Sequence, residues 1–220
     1  MRDSGVLRIL TRGKPMKLYA TPTSPYARKA RVLIHEKKLK VELVQADPWP
    51  EDSVVPGKNP LGKVPVLELA PDSFLFESQL VVHYLDRVEG KSLEAKGAVD
   101  YWQSQWWQAL GNGIIDAVIQ RVIEGRRPED KRWDGKLERE AARIARAVAV
   151  AEGAYKGGKF LVADNFTLAD LVLGVALRYV DFRYPHNWRA GAPNIARWHE
   201  GIVARPSFVE TEPPGFIAPA

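Results

Sequence analysis

Asn59-Pro60-Leu61-Gly62-Lys63-Val64-Pro65-Val66-Leu67-Glu68-Leu69 closes a proline-broken loop that begins near Asp47 and opens an apolar run. Proline has no N–H to give to a sheet ladder, so Pro65 marks the opening of a strand rather than its middle. Phe74-Leu75-Phe76 follows after Ala70-Pro71-Asp72-Ser73, a turn signal, and the two apolar runs predict a hairpin. Leu80, Val81, Tyr84, Leu85 and Val88 then recur at helical spacing, which predicts a helix over Glu77 to Val88 packed back on those strands. Upstream, Lys17 to Ala20 reads as a short strand that stops at Thr21-Pro22-Thr23-Ser24-Pro25. Pro25 suits the first position of a helix and Ser24 its N-cap, with Ala27, Ala30, Leu33 and Ile34 as the apolar stripe. Val41, Leu43 and Val44 resemble a second strand, so the order is βαβ followed by ββα.

Downstream of this region the period changes. Glu89 to Gly97 is mostly polar with two glycines and reads as a linker. Beyond it everything reads as helix. Trp102, Trp106, Leu110, Ile114 and Val118 recur at intervals of four, and Glu138 to Tyr155 is alanine-rich and patterned. Thr167-Leu168-Ala169-Asp170 is a capping box, whose threonine and aspartate bond free backbone N–H groups at a helix start. Leu168, Leu171, Val172, Val175, Ala176 and Tyr179 leave that helix little polar face, which places it at the centre of a bundle. The expected organisation is an extension over residues 1–15, predicted to be disordered, an α+β domain over 16–89, and an all-α helical bundle over 98–220.

With 45% hydrophobic and 27% charged residues the chain has an ordinary globular composition, and no stretch of eighteen apolar residues suggests a membrane span. The formal charge of +5 raises the question of nucleic acid, but Arg2, Arg8, Arg12 and Lys14 against Asp3 supply a net three of it within the first fifteen residues. Elsewhere acids and bases interleave, as in Arg87, Glu89, Lys91, Glu94 and Lys96, so no nucleic-acid groove is expected. The absence of cysteine excludes disulfides, zinc-thiolate sites and a thiol nucleophile within the chain, and any sulfur chemistry must be the ligand's. Val6 to Leu10, interrupted by Arg8, is too short for a secretory signal, and the expected location is cytoplasmic.

The candidate chemistry lies in three segments. Ser24 puts a hydroxyl at a helix N-terminus directly after a strand, where unpaired N–H groups and the helix dipole favour an anion. Val64-Pro65 opens a strand. Glu77-Ser78 opens the next helix, whose free N–H groups are expected to face outward and to suit a carboxylate. His35, His83, His186 and His199 show no metal-ligand spacing and read as surface or core-edge residues.

In this order and at these intervals, the three segments resemble the glutathione-binding half of the glutathione S-transferase family. The resemblance covers residues 16 to about 215, because the capping box at Thr167 also matches that family's helical domain. It implies a thioredoxin-like first domain. Only about 5% of X-Pro bonds are cis in general, but the thioredoxin fold has a cis-proline at this junction, exposing the preceding backbone to a peptide. By the same resemblance Ser24 faces the glutathione thiol, Val64 bonds the cysteinyl backbone beside Pro65, Glu77 and Ser78 receive the γ-glutamyl end, and Lys63 or the Trp49 loop flanks the glycyl end. Thr21, Thr23, Tyr19 and Tyr26 are competing thiol donors. Many bacterial members have cysteine where this chain has Ser24, which moves the expected chemistry from thiol exchange to thiolate stabilisation.

The magnitudes fit such a role. A thiol with pKa near 8.5 is about 3% ionised at pH 7, and lowering it by about two units takes roughly 2.7 kcal/mol. A charge-assisted hydrogen bond of about 1.5 to 3 kcal/mol and a helix N-terminus of about 0.3 to 1 kcal/mol supply that together. The resemblance further implies glutathione as co-substrate with no permanently bound cofactor, a small hydrophobic electrophile as second substrate, and a two-fold homodimer. The second substrate is expected between the domains, against Trp106, Trp107, Asn112, Asp116 and Arg121. The rival readings are a non-catalytic glutathione-fold binding or regulatory protein, and a glutathione-dependent reductase or peroxidase, the latter disfavoured by the missing cysteine.

Overall fold

The computed structural model describes residues 16–184 and 186–217; the extension at residues 1–15 lies outside them. The described chain forms two compact units, divided between Ser92 and Leu93, with Thr211–Pro214 returning to the first.

In the first unit β1 (Met16–Ala20), α1 (Pro25–Lys37), β2 (Val41–Gln45), β3 (Val66–Ala70), β4 (Ser73–Phe76) and α2 (Ser78–Val88) follow the βαβ then ββα order. The four strands form a mixed sheet in the order β2-β1-β3-β4, with β1 parallel to β2 and β3 antiparallel to both neighbours. This is the thioredoxin-like sheet that the family resemblance implied. β3 starts at Val66 rather than Val64, as a proline at position 65 requires.

Register assigns the two faces. Leu18 pairs Leu67, which pairs Leu75, and all three are buried; Tyr19 pairs Val66, which pairs Phe76, on the opposite face. The Tyr19 face is closed by Ala46, Val55 and Val64 from the long loop, with Val44, Phe74 and Phe76 at its margin. Val55 is fully buried, and a valine removed from water contributes about 1.5 to 3 kcal/mol, enough to hold a loop that has no ladder of its own. α1 packs on α2 through its predicted stripe, with Ala27, Ala30 and Leu33 fully buried.

A contact that pattern reading could not supply ties α1 to the far end of the chain. Arg28 is buried and its guanidinium donates to Glu212 at 2.6 Å and to the Thr211 hydroxyl at 3.4 Å. Breaking a buried pair by removing one partner costs about 3 to 5 kcal/mol, and partial exposure of Glu212 lowers the expectation for Glu212→Ala to about 2 kcal/mol. Urea unfolding midpoints test this; a loss below about 0.5 kcal/mol would show the pair to be screened by solvent.

The second unit is helical throughout: α3 (Ala98–Gly125), α4 (Asp134–Ala154), α5 (Leu168–Arg183), α6 (Pro193–Val203) and the short α7 (Pro206–Val209). α5 is the buried centre that its composition predicted, packed on α3 and α6. Two glycines set the approach distances. A Cβ at Gly111 would meet Leu173 backbone at 3.2 Å, and one at Gly174 would meet the Ile202 side chain at 2.7 Å, so at both positions a larger residue would force α5 or its neighbours to shift.

The interval-of-four pattern along α3 does not form a single face. A step of four residues turns about 400° and drifts about 40° each time around the helix. Trp102 and Trp106 are accordingly exposed, while Ile114 and Val118 are buried. The segment read as a linker is tied down as well: Ser92 donates to Asp86, Leu93 accepts from Leu168 N at 3.1 Å, and Glu94 accepts from Ser104 and Gln105. Among the described residues no helix is long and apolar enough to cross a membrane.

Candidate functional site

The sheet register brings the three candidate segments to one end of the first unit. β1 ends at Ala20 four residues before Ser24, β3 starts at Val66 two residues after Val64, and β4 ends at Phe76 immediately before Glu77. Because Tyr19 pairs Val66 and Val66 pairs Phe76, these termini are neighbours across the sheet. Adjacent strands lie about 4.8 Å apart, so the outer two segments are separated by about 10 Å.

Ser24 caps α1 as predicted. Its φ of −77° and ψ of 121° are extended, and its Oγ accepts from Ala27 N at 3.2 Å. That bond uses a lone pair; among the described residues no acceptor takes the hydroxyl proton, which remains available to a ligand. The turn that carries Ser24 is braced twice, by Ser24 N donating to Thr21 O at 3.3 Å and by Arg31 Nη1 donating to Pro22 O at 3.3 Å. Burial lowers the Arg31 guanidinium from its ordinary value.

Of the competing donors, Tyr19 is already committed. Its hydroxyl donates to Glu68 Oε2 at 2.6 Å, and that bond, with burial, pushes its pKa up to about 12. Lys58 sits over both the Tyr19 and Phe74 rings, which fixes the phenol further. Tyr26 carries Lys29 against its ring.

The Val64-Pro65 bond is cis. Val64 belongs to no strand, and among the described residues neither its N–H nor its C=O has a hydrogen-bond partner. The approach to it is held by Asn59, buried and not anticipated from the pattern, whose Nδ2 donates to Lys63 O at 2.7 Å and whose Oδ1 accepts from Leu61 N at 3.0 Å. The Asn-Pro-Leu-Gly run is itself an asparagine-turn signal that could have identified this brace. Lys63 and Trp49 are exposed on the same long loop.

Glu77 differs from expectation. The first N–H groups of α2 do not all stand free: the Glu77 carboxylate accepts from Gln79 N at 3.1 Å and Leu80 N at 3.0 Å, with the Ser78 hydroxyl donating to it at 3.4 Å. Glu77 also adopts φ 75°, a left-handed conformation that costs a non-glycine residue of order 1 to 3 kcal/mol and is retained where the surroundings or the function require it. The outcome is an exposed carboxylate beside a buried serine at one helix start, an arrangement that suits both charges of an amino-acid head.

The family model described as "Glutathione S-transferase, N-terminal domain" matches residues 18–92, and that described as "Glutathione S-transferase, C-terminal domain" matches residues 134–201. The chain belongs to the glutathione S-transferase family. It is 31% identical to the uncharacterized GST-like protein YibF of Escherichia coli, over 90% of this chain and 99% of that one. Among solved glutathione S-transferases it is similar to that of Methylobacillus flagellatus with glutathione bound, at 34% identity and a TM-score of 0.85, covering 90% of this chain and 99% of that one. It is also similar to that of Methylobacterium radiotolerans in complex with glutathione sulfonate, at 32% identity and a TM-score of 0.86, over 94% and 99%.

The expected second-substrate residues separate along α3. Trp106 and Asp116 are exposed and Asn112 is half-buried, whereas Trp107 is buried with its ring edge-on to Trp106 at 4.9 Å and belongs to the core. Arg121 stacks on Tyr184 at 3.8 Å and donates to Leu137 O, a structural assignment within the helical unit. One of the four histidines also corrects the sequence reading: His199 lies at 0% exposure in the middle of the helical unit, not at a surface or core edge. Among the described residues no cluster of three His, Cys, Asp or Glu side chains is arranged to hold a metal.

Proposed function

We propose that the chain is a glutathione transferase that stabilises the glutathione thiolate with Ser24 and adds it to a small hydrophobic electrophile. The observation that carries this reading is the convergence of Ser24, the unpaired Val64 backbone and the Glu77-Ser78 helix start at one sheet end. Their spread of about 10 Å matches an extended tripeptide, at about 3.3 to 3.6 Å per residue. Glutathione bound in its relatives from Methylobacillus and, as the sulfonate, Methylobacterium supports the ligand class.

In this reading the Val64 N–H and C=O pair with the cysteinyl backbone beside Pro65, as an added strand would. The Glu77 carboxylate takes the γ-glutamyl ammonium, and the Ser78 N–H and hydroxyl take its carboxylate, while Lys63 and the Trp49 loop flank the glycyl carboxylate. The cysteinyl sulfur then lies at the α1 N-terminus, where the Ser24 hydroxyl donates to it while still accepting from Ala27 N. Serine needs no base here because it gives a hydrogen bond and keeps its proton; the thiol proton leaves to solvent. Trp106, Asn112 and Asp116 are assigned to the electrophile side, and the protein is expected to work as a cytoplasmic homodimer with no permanently bound cofactor.

Retention on immobilised glutathione and conjugation of a chromogenic aryl halide, in wild type and Ser24→Ala, test the proposal. Loss of a charge-assisted donor worth about 2 kcal/mol raises the bound thiol pKa by about 1.5 units and lowers conjugation about thirtyfold below that pKa, with retention kept. Unchanged conjugation would transfer the role to Thr23. Failure of the wild type both to bind glutathione and to conjugate would overturn the enzyme reading.

A further inference from the structure

A second cluster lies on the sheet face beneath the long loop, and it includes the Tyr19 phenol. Tyr19 on β1, Glu68 on β3 and Phe74 on β4 share that face by register, with Glu68 opposite Phe74 on the strand between the two rings. The Lys58 ammonium comes down from the loop over both rings, 4.6 Å from the Tyr19 centroid and 4.7 Å from that of Phe74. Among the described residues no carboxylate pairs with it. Glu68 takes the Tyr19 hydroxyl instead, at 2.6 Å. A half-buried ammonium without a carboxylate partner has lost water and needs another source of negative potential. Two ring faces supply it, because the aromatic quadrupole is negative there and its pull strengthens as water is excluded. The bond to Glu68 polarises the phenol in the same sense.

What Lys58 holds is the support of Val64. Lys58 N and Asn59 N both donate to Val55 O, at 2.9 and 2.8 Å, and Gly62 N donates to Asn59 O at 2.9 Å. The Asn59 side chain closes the same piece, accepting from Leu61 N and donating to Lys63 O. Residues 55–63 are thus one hydrogen-bonded unit that ends directly before Val64, and its side chains meet the sheet face at Val55 and Lys58. Val55 resists lifting from that face but not sliding along it, because apolar burial has no direction. An ammonium centred between rings on β1 and β4 fixes the lateral position as well.

We propose that Lys58 is a positioning residue for glutathione: clamped between Tyr19 and Phe74, it fixes the loop that delivers the Val64 backbone to the cysteinyl unit. The inference rests on the glutathione reading of Val64 given above. It also gives Tyr19 its task, with the ring holding the loop and the hydroxyl holding Glu68, neither of them directed at the sulfur.

Calorimetric titration of glutathione and amide hydrogen exchange followed by NMR, in wild type, Lys58→Gln and Lys58→Arg, test it. Lys58→Gln removes the charge and is expected to weaken glutathione binding about tenfold. The KM for glutathione is expected to rise by the same factor, with kcat at saturating glutathione within about twofold, because Ser24 stands on α1 and not on this loop. Lys58→Arg, whose guanidinium also binds ring faces, is expected to stay within about threefold of wild type. Without ligand, the Leu61 and Gly62 amides of Lys58→Gln are expected to exchange about tenfold faster than in wild type, while the α1 amides keep their rates. Equal glutathione affinity in wild type and Lys58→Gln would overturn the proposal. So would a loss of affinity with unchanged loop exchange, since the lysine would then act on the ligand directly, or a Lys58→Arg affinity as low as that of Lys58→Gln. A wild type that does not bind glutathione would instead sink the reading of Val64 and this role with it, and the exchange rates, which need no ligand, would still show whether the clamp exists.

Discussion

Acidification from pH 6.5 to pH 5 is expected to remove about 2 kcal/mol of stability through His199 alone. The imidazole is completely buried on α6, and its Nε2 lies 3.2 Å from Gly174 O, which fixes the neutral tautomer with Nε2 as donor. Among the described residues its Nδ1 has no hydrogen-bond partner, so a second proton there would find no acceptor. Trp188 and Trp198 cover the ring, with centroids 5.7 and 6.4 Å away. Burial is the largest influence and drives the pKa down to about 3; Asp181 opposes it, and Arg189 and Arg178 reinforce it. Asp181 is the largest influence after burial but does not overcome it, and its carboxylate is itself engaged, accepting from Trp188 Nε1 and from both Arg189 terminal nitrogens at 2.8 Å.

The sign follows from proton counting. Between about pH 6.5 and pH 3 the unfolded chain holds a proton on this histidine that the folded chain refuses. Stability is therefore complete above pH 6.5 and falls by about 1.4 kcal/mol for each pH unit below it. Denaturant unfolding of wild type and His199→Gln across pH 5 to 7 isolates the effect, because glutamine keeps a donor toward Gly174 O and does not titrate. The difference in stability between the two proteins is expected to shrink by about 2 kcal/mol as the pH falls to 5. Parallel pH profiles would show that the imidazole is protonated inside the fold.

How much of this molecule can be read from its sequence depends on the distance over which a residue's role is decided. Ser24 and Pro25 state the start of α1 within two residues, since a hydroxyl acceptor and a preset φ act on the adjacent turn alone. Thr167 and Asp170 state the start of α5 in the same way. Pro65 separates loop from strand because it removes one N–H. Periodicity did less well on α3, where a stripe at intervals of four drifts around the axis until Trp102 faces solvent and Val118 the core.

The local backbone placement of the candidate residues was legible, their side-chain partners less so. The sequence placed Glu77 at a helix start but not its left-handed φ, nor its carboxylate folded onto the N–H groups of Gln79 and Leu80. Roles set by distant partners left no local trace at all. Arg28 and Glu212 are 184 residues apart, and Tyr19 is withdrawn from the donor set by Glu68, a residue on another strand.

The largest single loss of stability is expected for Asp170→Ala, at about 4 kcal/mol or more. Sequence reading gave Asp170 one task, the capping box; the structure gives its carboxylate four donors. Oδ2 accepts from Thr167 N and from the Thr167 hydroxyl, each at 2.9 Å, and Oδ1 accepts from Leu161 N and Trp198 Nε1. The residue is fully buried, so water cannot replace the carboxylate when it is removed. Burial raises its pKa above the ordinary value, and the four donors act against that shift. Each donor left unsatisfied in the interior costs about 1 to 3 kcal/mol, and because Thr167 can relax with its own helix start the sum falls short of four full penalties.

Thr167→Val removes only the hydroxyl and keeps the backbone donor, so it is expected to cost about 1 kcal/mol. Asp170→Asn supplies one acceptor and turns an amide toward groups that are themselves donors, which places it between the two. Guanidinium unfolding of the three variants gives the order directly. A cost for Asp170→Ala near that of Thr167→Val would mean that the loop at Leu161 and the indole of Trp198 do not depend on this carboxylate. Asp170 thus couples three elements that the sequence presents as unrelated: the first turn of α5, the approach from α4, and the inner face of α6.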